Sequence, residues 1–211
     1  MICIIPARGG SKRLPGKNLL ELDGEYIINR VIQIADKSGL FSEIIVSTDS
    51  EDIAEIVKGA TVSMRPAQIA GDIAEDKVLK WTAYKYGSER FCRIYPFSVL
   101  LTPRRLQEGS HVYIQGEHDA VLECQKYGHP PERRFTLTKG YKQKSLISLP
   151  TEKIEATYHD AGTFMFTNVK TLKTPLAKRK IKWIPVAEIE AQDVDNYDDW
   201  IMLQAKWQRY N

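Results

Sequence analysis

Short apolar runs alternate along this chain with stretches of helical periodicity, and most runs stop at glycine, proline or a polar cluster. Residues 2–5, 43–49, 91–96 and 119–125 read as strands, the first apolar throughout as a strand covered on both faces requires and the others built around short apolar runs. Pro6, which cannot donate to a ladder, is expected to end the first. Between the first two runs, residues 25–38 place Ile27, Ile28, Val31, Ile34 and Ala35 at helical spacing, with Gly39 where a C-cap belongs. Strand, glycine loop, helix, strand predicts a βαβ unit with its loop at the carboxyl edge of a parallel sheet, the edge where ligands bind.

The pattern continues to the end of the chain. Residues 47–50 cap a helix over 51–58, and residues 61–64 form a short strand that delivers Arg65 and Pro66 to the same edge. A helix follows Asp72, carrying Val78, Trp81, Ala83 and Tyr84. Thr102 and Pro103 are an N-cap and N1 pair for a helix reaching toward Gln115. Residues 136–138 and 142–149 flank Lys139-Gly140 as a hairpin. A strand at 181–186 precedes a last helix bearing Trp200, Leu203 and Trp207. The expected fold class is α/β, a doubly wound, mostly parallel sheet.

Composition narrows the reading without changing it. The chain has 211 residues, 43% of them hydrophobic, enough for one large domain with a substantial core. A net charge of +3 is too mild for a nucleic-acid binder, and the basic residues cluster in the first loop and at 178–182, so a small anion is the expected partner. Cys3, Cys92 and Cys124 each fall inside an expected strand with no metal-type spacing, which predicts reduced core thiols and a cytoplasmic protein. No charged leader opens the sequence and no stretch approaches a membrane span, so neither a signal peptide nor a membrane partner is expected.

The chemistry concentrates after the first strand. Gly9 and Gly10 allow a tight bend, and Arg8, Lys12, Arg13 and Lys17 put four cations within ten positions. That combination suits a polyphosphate. It is not a P-loop, because Ser11 and Asn18 stand where that pattern needs Gly and Ser or Thr, and it lacks the Gly-x-Gly-x-x-Gly of dinucleotide folds. A solvated basic turn is the plainer alternative. Toward the C-terminus Asp193 and Asp195 stand two apart, so on an extended segment both carboxylates face one way, as a hard divalent cation requires. Asp195 or Asn196 would equally serve as the N-cap of the last helix, and cap and ligand are compatible roles.

Residues 5–18, Ile-Pro-Ala-Arg-Gly-Gly-Ser-Lys-Arg-Leu-Pro-Gly-Lys-Asn, resemble the signature of the cytidylyltransferases that activate sialic-acid-like keto-sugars as CMP conjugates. Residues 158–164, Tyr-His-Asp-Ala-Gly-Thr-Phe, resemble a segment of the pseudaminic acid subgroup. The resemblance implies a nucleotidyltransferase-like single domain over 1–211, with an excursion at about 126–158 that helps form the sugar site and a homodimer. It implies nucleotide contacts from Ala7, Arg8, Gly9, Gly10, Ser11, Lys12, Lys17, Asn18, Arg65, Asp72, Pro96 and Ser98. The sugar would meet Arg133, Tyr158, His159, Asp160 and Thr163. Asp193 and Asp195 would hold Mg²⁺ and, with Arg8 and Lys17, form the catalytic set.

The chain departs from the family pattern at several positions. Glu75 and Asp76 stand where small hydroxyl residues are usual, and Phe97 and Val99 replace a threonine and a proline. Pro150, Thr151 and Glu152 replace an Arg-Ser-Gln stretch, and Thr163 replaces a glutamine. The implied activity is transfer of CMP from CTP to a nonulosonic acid, pseudaminic acid first, with release of pyrophosphate. Legionaminic acid, N-acetylneuraminic acid or another keto-sugar acid are alternative acceptors, and a catalytically weak nucleotide- or sugar-binding protein is the alternative class.

Overall fold

The computed structural model describes residues 1–142 and 148–210. β1 (Ile2–Ala7) lies in the middle of the sheet because its side chains are apolar on both faces: Cys3 and Ile5 enter one core, Ile2 and Ile4 the other. Pro6 does not end it. β1 runs on to Ala7 with Pro6 in register with Ser47, and the strand on its other side pairs only from Ile2 to Ile4, so the proline sits where no second ladder needs its missing N–H.

After the loop, β2 (Glu21–Leu22) and β3 (Glu25–Tyr26) close a two-stranded hairpin across Asp23 and Gly24, both with positive φ as such a turn demands. Helix α1 (Ile27–Lys37) therefore starts two residues later than its periodicity predicts. β4 (Glu43–Thr48) follows, then α2 (Glu51–Ile56), capped by Ser50 Oγ accepting from the Ile53 N–H, and β5 (Thr61–Met64). Helix α3 (Glu75–Lys85) leads to β6 (Arg90–Ile94), and α4 (Pro103–Ile114), capped by Thr102, leads to β7 (Ala120–Lys126).

The excursion carries a small antiparallel pair, β8 (Phe135–Thr136) with β9 (Gly140–Tyr141), so the turn falls at 137–139. The expected second arm over 142–149 lies largely outside the described residues. The chain returns through β10 (Tyr158–Asn168), passes β11 (Ile181–Val186) and ends in α5 (Tyr197–Tyr210).

Among the described residues the main sheet has seven strands in the order β11-β7-β10-β6-β1-β4-β5. Only β10 runs antiparallel to its neighbours, so the sheet is mostly parallel as expected. Helices α1, α4 and α5 pack Val31, Leu106 and Leu203 on one face, and α3 packs Leu79 and Ala83 on the other. Each such large side chain contributes about 1.5–3 kcal/mol by leaving water. This two-sided core fixes the carboxyl ends of β1, β4 and β6, which frame the site. The three cysteines are free and buried, and burial pushes their thiols up.

Candidate active site

A cleft of about 470 Å³ opens over the carboxyl ends of β1 and β6, lined by Arg8, Ser11, Lys12, Arg13, Lys17 and Asn18. Its loop is folded from within. Asn18 Nδ2 donates to the Arg8 carbonyl at 2.9 Å, the Lys17 N–H to the Leu14 carbonyl at 3.1 Å, and the Leu14 N–H to Ser11 Oγ at 3.4 Å.

Asp49, at the end of β4, ties that loop to the next one. Its Oδ1 accepts from the Gly9 N–H at 2.8 Å and its Oδ2 from the Gly71 N–H at 2.6 Å. Burial raises the Asp49 carboxyl, but the two backbone donors and the Arg65 charge outweigh it and hold the group below its ordinary value. The expectation that the Gly9 amide cradles phosphate is corrected by this bond, because that N–H already has a partner. Gly9 is glycine for a steric reason: a Cβ there would stand 2.9 Å from Cβ of Ser50. Ala7 is fully buried in β1, and its side chain does not line the cleft.

Two acids neutralise the loop cations. Asp72 accepts from Arg8 at 2.5 Å and from Lys12 at 2.9 Å, and Asp195 pairs with Arg13 at 2.7 Å. Lys17 stands 3.6 Å from Asp195 and 4.0 Å from the centroid of the Phe97 ring. Burial lowers the Lys17 ammonium from its ordinary value, against the pull of Asp193 and Asp195. Asp193 is raised, first by burial and then by the Asp195 charge beside it. Room for Asp193 comes from Gly162, whose φ of +65° suits glycine and where a Cβ would lie 3.2 Å from that of Asp193. The loop and the acidic pair, far apart in sequence, therefore meet at Lys17. Asn196 is the residue that caps α5, its Oδ1 accepting from the Asp199 N–H at 3.1 Å, so Asp195 is left to the cleft.

The far wall is Ile73, Val78, Pro96 and Phe97, with Arg65 and Glu75 above it. Arg65 donates Nε to Ser47 Oγ at 3.2 Å and Nη2 to the Ser47 carbonyl at 2.8 Å, which fixes its guanidinium. Tyr95 Oη donates to Glu75 Oε2 at 3.0 Å, and the Tyr95 ring carries the buried Arg93 guanidinium 3.7 Å from its centroid.

Other expected site residues lie elsewhere. Ser98 is buried with its hydroxyl 3.3 Å from the Thr163 carbonyl, away from the cleft. Thr163 does not face a ligand either: Oγ1 donates to the buried Glu123 at 2.6 Å, because β10 shifts register between Asp160 and Met165. Arg133 donates to the Leu149 carbonyl and to Thr151 Oγ1, within the excursion. The His159 ring packs 4.9 Å from that of Tyr127, Tyr158 is half exposed, and Asp160 accepts from the Gly162 N–H at 2.8 Å. Asp49, Tyr95 and Phe97 were not among the residues assigned to the site from sequence, although Asp49 follows a strand end at the ligand edge and Tyr95 matches the family's Tyr-Pro loop.

A family model described as cytidylyltransferase matches residues 2–137. The pseudaminic acid cytidylyltransferase of Campylobacter jejuni subsp. jejuni is 30% identical over 188 residues, 80% of this chain and 78% of that protein. The N-acylneuraminate cytidylyltransferase of Streptococcus agalactiae is 30% identical over 221 residues, 95% of this chain and 51% of that protein. Among solved structures, a CMP:2-keto-3-deoxy-manno-octonic acid synthetase complexed with CTP superposes with a TM-score of 0.75 at 18% identity, covering 100% of this chain and 99% of the other, a likeness of fold. With the signature loop, the parallel sheet and these matches in agreement, the chain belongs to the cytidylyltransferase family.

Proposed function

We propose that the chain transfers CMP from CTP to a nonulosonic acid, pseudaminic acid first among them, and releases pyrophosphate. One observation carries this reading: the cations of the β1 loop and the Asp193, Asp195 pair converge on Lys17 at the mouth of one cleft. CTP brings about four negative charges, and phosphoryl transfer depends on positioning the triphosphate and neutralising that charge. Arg8, Lys12, Arg13 and Lys17 would do so by exchanging their carboxylate partners for phosphate oxygens, with Ser11 and Asn18 beside them. Arg65, Asp72 and Pro96 would border the base. The acceptor's anomeric hydroxyl attacks the α-phosphorus as the bond to the bridging β-phosphate oxygen breaks, and pyrophosphate leaves.

Asp193 and Asp195 fit Mg²⁺. Two carboxylates close enough for one to raise the other are the donor set of a hard cation that completes its shell with phosphate oxygens and water. Among the described residues no group of three or more acidic, histidine or cysteine side chains offers a closed cage. Bound there, the ion supplies charge neutralisation at the α-phosphate. Pseudaminic acid is favoured by the C. jejuni relative and by residues 158–164. Tyr158, His159 and Asp160 would face the sugar with Arg133 nearby, whereas the buried Thr163 hydroxyl has no part in this reading.

A homodimer through the excursion is supported by the exposed Tyr127, Phe135, Leu137 and Tyr158 on that segment. Free, buried cysteines favour a reducing compartment, the cytoplasm. Among the described residues no helix is long and apolar enough to cross a membrane. The test is to incubate the protein with Mg²⁺, each nucleoside triphosphate and a panel of acidic sugars, then measure pyrophosphate. Fastest release from CTP with pseudaminic acid is expected. CTP binding without release on any sugar would make the protein a binder instead.

A further inference from the structure

The first loop and the wall opposite it meet through a contact that ion pairing alone does not explain. Lys17 Nζ stands 4.0 Å from the centroid of the Phe97 ring, and the lysine side chain is only 14% exposed. The ring is held in its turn. It stacks on Tyr95 with centroids 5.2 Å and planes 17° apart, Tyr95 Oη donates to Glu75 at 3.0 Å, and the Arg93 guanidinium lies over the Tyr95 ring. Arg93, Tyr95, Phe97 and Lys17 thus follow one another in contact, a cation at each end of two rings. Phe97 is buried and lines the cleft, at one of the positions where this chain departs from the family pattern.

What the ring does for the ammonium follows from the other partner of Lys17. Asp195 is 3.6 Å away and is a carboxylate that the proposed function gives to another ligand. Whatever engages that carboxylate leaves the ring as the neighbour that keeps the cation in the cleft. A ring face attracts a cation through its quadrupole, and more strongly where water is excluded. It offers no oxygen to fix an N–H in one direction, so the three ammonium donors can turn toward phosphate. A threonine hydroxyl in its place would accept one of them and has no quadrupole.

We infer that Phe97 is a positioning residue: its ring, braced by Tyr95, seats the Lys17 ammonium where it meets the triphosphate. The inference rests on the proposed cytidylyl transfer and goes beyond it by naming the residue that places a phosphate-binding cation. Phe97 acts through Lys17 and needs no contact of its own with the nucleotide.

The experiment replaces Phe97 by phenylalanines carrying one, two and three ring fluorines, which withdraw charge from the ring face with little change of shape, and by leucine. It measures kcat and KM for CTP with Mg²⁺ and the preferred acceptor, CTP Kd by calorimetry, and Tm. Stepwise loss of kcat/KM with fluorine number is expected, reaching about 3- to 30-fold for the trifluoro ring and for Phe97→Leu. CTP Kd should rise in parallel, and the Tm of the fluorinated proteins should stay at the native value. In a Lys17→Met background the fluorine series should be flat in Kd, because the ring then has no cation to seat. If Phe97→Leu does not fold, the fluorine series decides the matter alone. A flat series with Lys17 present makes the ring simple packing and overturns the inference. A series that descends equally with Lys17→Met puts the ring against the nucleotide and overturns it too. Turnover of CTP with a flat series spares the cytidylyl reading, whereas a native protein that releases no pyrophosphate from CTP refutes both.

Discussion

Lys17 holds its ammonium 3.6 Å from Oδ1 of Asp195, joining the first loop of the chain to the segment before its last helix. Asp193 acts on the same ammonium, so one lysine senses both acids. If the acids hold the metal and Lys17 a phosphate, Asp195→Asn and Asp193→Asn should each lower Mg²⁺-dependent pyrophosphate release by about 100- to 1,000-fold, the scale of losing one charge stabiliser at a reacting phosphate. Circular dichroism should be unchanged, because the ion pair of Asp195 with Arg13 is largely exposed and such pairs contribute little. Unchanged release by either variant would remove the metal assignment.

The raised carboxyl of Asp193 gives a pH signature. Its folded-state value lies above the ordinary 3.8, so the folded state binds this proton more tightly than the unfolded chain does. The stability this confers is present below the ordinary value and is lost as pH rises through the raised one. At neutral pH a buried charge beside Asp195 therefore works against folding. Asp193→Asn should have a Tm equal to or above that of the native protein at pH 7, and the difference should vanish below the ordinary aspartate value. Thermal melts from pH 3 to 7 without metal would show it; a variant less stable at pH 7 would contradict it.

Much of this arrangement was legible in the sequence because it is local. The two glycines, four cations and proline of the first loop are contiguous, and the spacing of Asp193 and Asp195 needs only an extended backbone. What stayed hidden depends on partners distant in sequence. The Gly9 amide reads as a phosphate donor until β4 brings Asp49 against it. Thr163 reads as a ligand-facing strand residue, but the shift in β10 turns it toward Glu123. The hairpin of β2 and β3 escaped the hydrophobic pattern because two-residue strands have no periodicity, although Asp23-Gly24 was its signal.

Asp49 couples two loops through one carboxylate, and that predicts a binding defect. Its lowered folded-state value means the stabilisation is present above the ordinary aspartate value and is lost only as pH falls below it, so both loops are held at neutral pH. Asp49→Ala frees the Gly9 and Gly71 amides together. Exchange of those two amides should accelerate, and KM for CTP should rise about 10-fold with a smaller change in kcat, the pattern of lost uniform binding. Unaltered amide protection would show that the loops are ordered by other contacts.

The buried pair Arg105 and Glu123 supplies the largest stability effect expected of one substitution. Glu123 is 1% exposed and accepts from Arg105 Nε at 2.8 Å, from Arg105 Nη2 and from Thr163 Oγ1. Arg105 Nη1 donates onward to the Leu100 carbonyl at 3.2 Å and the Glu190 carbonyl at 2.7 Å, so the pair also anchors the segment that leads to Asp193. Gln125 donates to the Ala187, Glu188 and Ala191 carbonyls, and Lys206 to the last two, holding the same stretch from other sides. Glu123→Ala leaves a guanidinium buried without its counter-charge and should cost about 3–5 kcal/mol in urea denaturation. Pairing it with Arg105→Met should recover most of that stability, since an apolar pair avoids the stranded charge. Turnover should not recover with it: Met offers no donor to the Glu190 carbonyl, so the segment carrying the metal acids loses a constraint that stability alone does not report. A double variant with both restored stability and native kcat would confine Arg105 to the core.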